Sequence, residues 1–440
     1  MFWNRTKKTT DKDQKSEDAP SEQSGNNAQR DHRVSKKIPL SFLKRLIPVS
    51  NLSDSDLQQL KFTLSQHKPG DIIFNRSESS DSLTYIIKGQ CYIEASNGSG
   101  YEVDAATFKA YYPLSTDLQY QCTAIAKTDV NILHVPQSIL RNSNTNHRNP
   151  LLNVTDISES LKNNAFFHAF CQHFRQDKLT IPSLPDVALK LRTAVQKDIA
   201  IKEAVKIVSL DPVISSKLIQ IVNSPLYRTL NPITTCHDAI NRLGLTTTRN
   251  LVTSISMKNL FKTTNKELNE RVHQVWKHSI QVSSISHTLA RLTKKTNPDE
   301  ALLAGLIHNI GALPIIIFAD SLNKNEYTSV EMDQTINALQ GLLGNFILKK
   351  WGFPKALDTI PMQTENWYHS VGEKIELSDI VLLAKFHSYI GSKEMQNLPS
   401  INTLPAFKKL GDNALTPDMS LQTLQDAKQE IFDAISLFGS

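Results

Sequence analysis

The sequence predicts an α+β multidomain protein in which a small all-β unit precedes an all-α unit. Three observations point there. The chain has 440 residues, enough for roughly two or three cores of ordinary domain size. Short β-rich runs separated by Ser, Asp and Gly turns fill the stretch from Pro69 to Val135. Beyond Pro150 the apolar residues recur with a helical period nearly everywhere.

Taken in order, residues 4–33 hold almost no apolar side chains beyond Ala19 and Ala28, so they cannot bury enough surface to order themselves. Residues 1–37 therefore read as a disordered polar tail. Residues 38–66 read as helical, with Leu40, Leu43, Leu46 and Ile47 on one stripe and Leu57, Leu60, Phe62 and Leu64 on a second. Ser53, followed by Asp54 and Asp56, is a helix start. Asp71–Phe74, Leu83–Ile87 and Cys91–Ala95 are β-rich runs, separated by Ser77–Ser82, Lys88-Gly89 and Asn97–Gly100. Alternation resumes over Tyr120–Ala126, and Val130–Val135 is a last strand. Strands this short and close suggest a sandwich or barrel over 38–142. The polar, Pro-terminated stretch Asn142–Pro150 opens a linker and helix over 143–174, and 175–440 form the helical domain with C-terminal helices.

Composition excludes several function classes. Net charge is +6, but residues 1–37 carry nine Lys and Arg against six Asp and Glu, so half the excess sits in the tail. A nucleic-acid surface needs a basic stripe on a folded face, and the charge balance disfavours one. The four cysteines, Cys91, Cys122, Cys171 and Cys236, form no C-x-x-C or Cys/His cluster. That argues against a zinc site or disulfide framework and fits a reducing cytoplasm. The apolar stretch Ala301–Phe318 is broken by His308, Asn309 and Pro314, which argues against a membrane span. No apolar stretch follows the basic start as a signal peptide requires.

Pro69-Gly-Asp-Ile-Ile-Phe74, Ser80-Asp-Ser-Leu-Thr-Tyr-Ile-Ile-Lys-Gly89 and the strand ending at Val135-Pro136 resemble a cyclic-nucleotide-binding domain. The resemblance implies a β jelly roll flanked by helices. In that family an Arg, helix amides and a Glu clamp the cyclic phosphate and ribose; the planar Arg fork suits two phosphate oxygens. Here the corresponding stretch is Phe108–Thr116, the Arg position falls near Tyr120, and no Arg occurs between Arg76 and Arg141. Lys109 is the nearby cation. Cyclic-nucleotide binding is therefore disfavoured.

The helical part opens with Leu184-Pro185-Asp186, continues through Asp211-Pro212-Val213, Asn223-Ser224-Pro225, Ile233 and Ala239-Ile240…Leu243-Gly244, then Leu302-Leu-Ala-Gly-Leu-Ile-His-Asn-Ile-Gly311 and Trp351-Gly-Phe-Pro354. This run resembles an HDOD domain, a helical module related to HD metal-dependent phosphohydrolases. In those enzymes a first His, a His-Asp pair and a later Asp hold metal, which lowers the pKa of bound water and polarises a phosphoryl oxygen. Here His278 matches the first His and His308 the second. The pair's Asp is Asn309 and the later Asp is Lys385; Gln340 and Gln363-Thr-Glu365 stand where enzymes carry further histidines. Two unit charges 4 Å apart interact by about 4 kcal/mol at an effective dielectric near 20, and a divalent ion roughly doubles it. Lys385 thus opposes a metal, and Asp379, on another helical face, does not replace the lost carboxylate. The expected roles of His278 and His308 are buried side chains, each with a hydrogen-bond partner, which leaves open a bond to each other or to Asn309.

The resemblance implies bacterial signal transduction through protein contacts, with no catalytic residues, no metal and no cofactor. It allows a homodimer, and leaves the partner proteins open. Two alternatives stand: a metal-dependent phosphohydrolase acting on a nucleotide or cyclic dinucleotide, and a cyclic-nucleotide sensor without catalysis. No Gly-rich phosphate loop or G-x-S-x-G elbow occurs.

Overall fold

The computed structural model describes residues 38–95, 100–139, 159–224, 226–227, 231–263, 265–323, 325–410 and 428–439. The tail expected over 1–37, the linker at Asn142–Pro150 and most of the Asn97–Gly100 turn lie outside the described residues.

The N-terminal unit begins with two short helices, α1 (Leu40–Leu43) and α2 (Asp54–Gln58). Ser53 caps α2 by accepting from the Asp56 amide, as its sequence position predicts. Seven strands follow: β1 (Thr63–His67), β2 (Ile72–Phe74), β3 (Ser82–Lys88), β4 (Gln90–Glu94), β5 (Gly100–Asp104), β6 (Thr123–Ala126) and β7 (Val130–Pro136). The helix expected through residue 66 therefore gives way to a strand, because Thr63–His67 pairs with Val130–His134 of β7. The strands form two antiparallel sheets, β1-β7-β3 and β2-β6-β4-β5. Both sheets are open among the described residues, and they pack as a two-sheet sandwich.

The non-alternating run Leu83–Ile87 has a physical cause. The β1-β7-β3 sheet is covered on both faces. Ile86, Val130 and Ile132 face the β2-β6-β4-β5 sheet, while Leu83, Tyr85, Leu133 and Val135 face Leu43, Leu46 and Leu57 of the helical cover. Gly89 makes the tight step from β3 to β4. Its φ is +85°, and a Cβ there would sit 2.3 Å from the Asp129 carbonyl oxygen.

The C-terminal unit is all helix: α3 (Glu159–Lys162), α4 (Ala165–Arg175), α5 (Asp186–Val195), α6 (Ile201–Val208), α7 (Pro212–Val222), α8 (Cys236–Met257), α9 (Lys266–Thr293), α10 (Pro298–Ile307), α11 (Ala312–Asp320), α12 (Ser329–Lys350), α13 (Lys355–Asp358), α14 (Ile360–Gln363), α15 (Leu377–Ser388), α16 (Pro405–Lys408) and α17 (Lys428–Gly439). Helix α4, read from sequence as part of the connecting segment, packs into the helical core through Phe166, Phe167 and Phe170, with Phe166 and Phe170 against Phe318. Asp211 caps α7 with Pro212 in its first turn. Gly244 kinks α8 at φ 76°.

Helices α9, α10 and α15 form the centre. From Ala301 to Ile307 helix α10 is apolar all round, and every one of these residues is buried. Burying each of its leucines contributes about 1.5–3 kcal/mol. The stretch Pro298–Asp320 is long and apolar enough to cross a membrane by composition, yet it is 94% buried inside the protein. Gly311, between α10 and α11, touches α12 so closely that a Cβ would lie 1.9 Å from the Gln340 carbonyl oxygen.

Candidate functional site

Three central helices bring the sequence-marked residues together. His278 lies on α9, His308 ends α10, and Lys385 lies on α15. The two imidazole rings meet edge to face, with centroids 5.3 Å apart. Each has a hydrogen-bond partner, as expected, but that partner is neither the other histidine nor Asn309. His278 Nε2 lies 3.1 Å from Ser388 Oγ, and the Tyr389 ring stacks on its face with centroids 5.2 Å apart. His308 Nδ1 lies 2.6 Å from the Gly305 carbonyl one turn earlier. The two rings thus bond to different partners, His278 at the end of α15 and His308, through Nδ1, on its own helix. His308 Nε2 is buried and has no hydrogen-bond partner among the described residues.

Asn309 is also committed locally. Its Oδ1 accepts from Ser279 Oγ at 2.6 Å and its Nδ2 donates to the Val275 carbonyl at 3.3 Å. Both partners are on α9, so the amide ties α9 to the end of α10.

Lys385 is buried. Its Nζ donates to Glu365 Oε1 at 3.1 Å and to the Thr364 carbonyl at 3.0 Å, and lies 5.5 Å from the Trp367 ring centroid. Glu365 also accepts from Gln340 Nε2 at 3.3 Å. Burial works against the ammonium, but the charge and hydrogen bond of Glu365 together with Tyr389 outweigh it, and the Lys385 pKa is raised. The charge is thus resident. Burial first, and then the Lys385 charge, push His278 down to about 4. Burial, then His278 and Lys385, hold His308 well below the usual histidine range. Both imidazoles are neutral near pH 7.

These residues do not fit the metal that HD enzymes hold. A cation already lies beside the histidines, one carboxylate position carries a neutral amide turned toward α9, and the other carries that cation itself. Among the described residues no three His, Cys, Asp or Glu side chains group as a metal-binding set. Asp379 is no substitute. It is buried, closes the N-terminus of α15 by accepting from the Glu376 amide, and pairs with Lys409 at 3.0 Å. Glu365, marked in the sequence only as standing where enzymes carry further histidines, completes the site with Ser388 and Tyr389, which no sequence signal marked.

In the β unit, Tyr120 fills the position expected for a phosphate-binding Arg. It is buried, stacks on Phe74 with centroids 3.9 Å apart, and donates to Ser80 Oγ at 2.9 Å. Lys109 lies 5.8 Å from the Tyr101 ring. Arg76 Nη2 reaches the Ala95 carbonyl at 3.5 Å. The stretch that follows turns toward the helical unit: Tyr112 OH donates to the Asn397 carbonyl at 2.8 Å, Thr116 Oγ1 to the Thr403 carbonyl at 2.7 Å, and Asp117 pairs with Lys408 at 2.6 Å.

Comparison with known proteins agrees with this arrangement. A candidate metal-dependent phosphohydrolase from Shewanella amazonensis SB2B shares 26% identity and superposes with a TM-score of 0.54, covering 62% of this chain and 97% of that one. The β-rich region is similar to a candidate cyclic nucleotide-binding protein from Geobacter metallireducens GS-15, with 19% identity, TM-score 0.21, and coverage of 25% of this chain and 85% of that one. An uncharacterised protein of Treponema pallidum (strain Nichols) is 27% identical over 137 residues, 30% of this chain; the match spans only 25% of that relative's length. The segment 181–366, which holds the histidine pair with Asn309 and Glu365, matches the HDOD domain family.

Proposed function

We propose that the chain is a non-catalytic signalling regulator that works in the cytoplasm through protein contacts of its HDOD domain, with the β unit as its sensing or scaffolding part. One observation carries this reading: the Lys385 ammonium, held by Glu365, stands at a position where a hydrolase carries a carboxylate, close enough for its charge to act on both histidines. Burial, and then its charge, hold both histidines neutral near pH 7. The neutral Asn309 amide supports the same reading, since it is spent on Ser279 and Val275. In the β unit, Tyr120 fills its own pocket with an aromatic stack and leaves no guanidinium for a phosphate.

A second reading, a metal-dependent phosphohydrolase, is favoured by two specific observations. The similar Shewanella protein is described as a candidate enzyme of that kind, and His308 Nε2 is left buried without a partner among the described residues. Incubating the full chain with a cyclic dinucleotide and a nucleoside triphosphate, each with added Mn²⁺ or Fe²⁺, separates the two. The proposal expects no turnover above a His308→Ala control. Turnover that the substitution abolishes would sink it.

A further inference from the structure

The segment Thr364–His369 belongs at once to the histidine site and to the face that meets the β unit. At its start, the Thr364 carbonyl and Glu365 carboxylate hold Lys385. Trp367 lies over that ammonium and against the edge of Phe386. The very next residue, Tyr368, is fully buried, with its ring 6.4 Å from Tyr112 of the β unit and its hydroxyl 3.2 Å from Thr403 Oγ1. Thr403 in turn accepts from Thr116 through its carbonyl.

We propose that docking of the Tyr112–Asp117 segment onto the helical unit fixes the Thr364–His369 segment, and so regulates whether Lys385 is held inside the histidine site. This rests on reading Lys385 as the resident cation of that site. Three features argue for coupling. The contact is charge-specific: Lys408 Nζ, largely buried, lies 2.6 Å from Asp117 and 2.5 Å from Thr116 Oγ1, so one docked arrangement is favoured over a sliding apolar seam. The linking segment is short. Glu365 and Tyr368 are three residues apart, about 10 Å even when fully extended, so one end cannot shift far without the other. The far side is also tied: α16 packs on α15, and Lys409, next after α16, pairs with Asp379 at the start of the helix that carries Lys385. Both ends of α15 are therefore joined to the surface that the β unit grips. A partner that prefers the undocked β unit would shift the population toward a site with Lys385 released.

Hydrogen exchange on the full chain tests this, because the amides of 364–366, 368 and 369 are all hydrogen-bonded and exchange slowly when the segment is held. The variants are Asp117→Lys, Lys408→Asp and the double charge swap. Expected is exchange raised by about tenfold or more in 364–369 and the C-terminal half of α15 for each single variant, with β3 and β7 unchanged, and recovery in the swap. Faster exchange confined to 397–408, or no change in either single variant, overturns the coupling. Metal content is read on the same samples: stoichiometric metal in the unaltered chain overturns the reading of Lys385 itself, whatever the exchange shows.

Discussion

Replacing Lys385 with Met removes the charge while keeping most of the volume. In a fully buried ion pair, removing one partner costs about 3–5 kcal/mol, because the other charge is stranded. Glu365 retains 29% side-chain exposure against 9% for Lys385. Its carboxylate can therefore recover some hydration, and the expected loss for Lys385→Met is smaller, about 1–3 kcal/mol. The Trp367 face also loses its cation, which adds about 0.5–1 kcal/mol at a partly exposed site. Glu365→Gln strands the ammonium instead, which is the more buried partner, so it should cost at least as much. The double variant should be less destabilised than the sum of the singles by about 1 kcal/mol or more. Urea unfolding of all four proteins measures this cycle. Additivity to within about 0.5 kcal/mol would refute the pair as what holds Lys385 in the site.

Other consequences follow from the same geometry. The His278 pKa of about 4 lies below its unfolded value near 6.5. As pH falls the unfolded chain takes up the proton first, so this contribution is complete above about pH 6.5 and is lost as pH drops toward 4. At about 1.36 kcal/mol per unit the loss is about 3 kcal/mol. A His278→Gln variant with the unaltered pH profile would contradict it. Cyclic AMP, cyclic GMP and cyclic dinucleotides should leave the melting temperature unchanged, whereas a true sensor gains about 2.7 kcal/mol at a hundredfold excess over Kd. Gly311→Ala forces a Cβ onto the Gln340 carbonyl and should cost about 1–3 kcal/mol in the same unfolding assay; a neutral result would show that α12 can retreat.

Local signals were legible in the sequence. The Ser53 cap and the Asp211-Pro212 helix start each depend on residues within one turn, and the structure holds both. The strand β1 was not legible, because Leu57, Leu60 and Leu64 fit a three-and-four spacing and only pairing with β7, some 69 positions on, decides the matter. The histidine site shows the same division. His278, His308, Asn309 and Lys385 were visible as positions, and they do converge. Their bonds were not, since Lys385 reaches a carboxylate 20 residues back and His278 a hydroxyl 110 residues ahead. The contact between the two units, joining residues 285 to 292 positions apart, leaves no trace in periodicity at all.

The most direct test is the metal content of the full chain, purified from cells supplied with iron, manganese and zinc and measured per mole of protein. A site whose cation is Lys385 should hold well below one metal ion per chain, and Asn309→Asp combined with Lys385→Asp should raise that number. One or two tightly bound metal ions in the unaltered chain, lost on His308→Ala, would contradict a non-catalytic site.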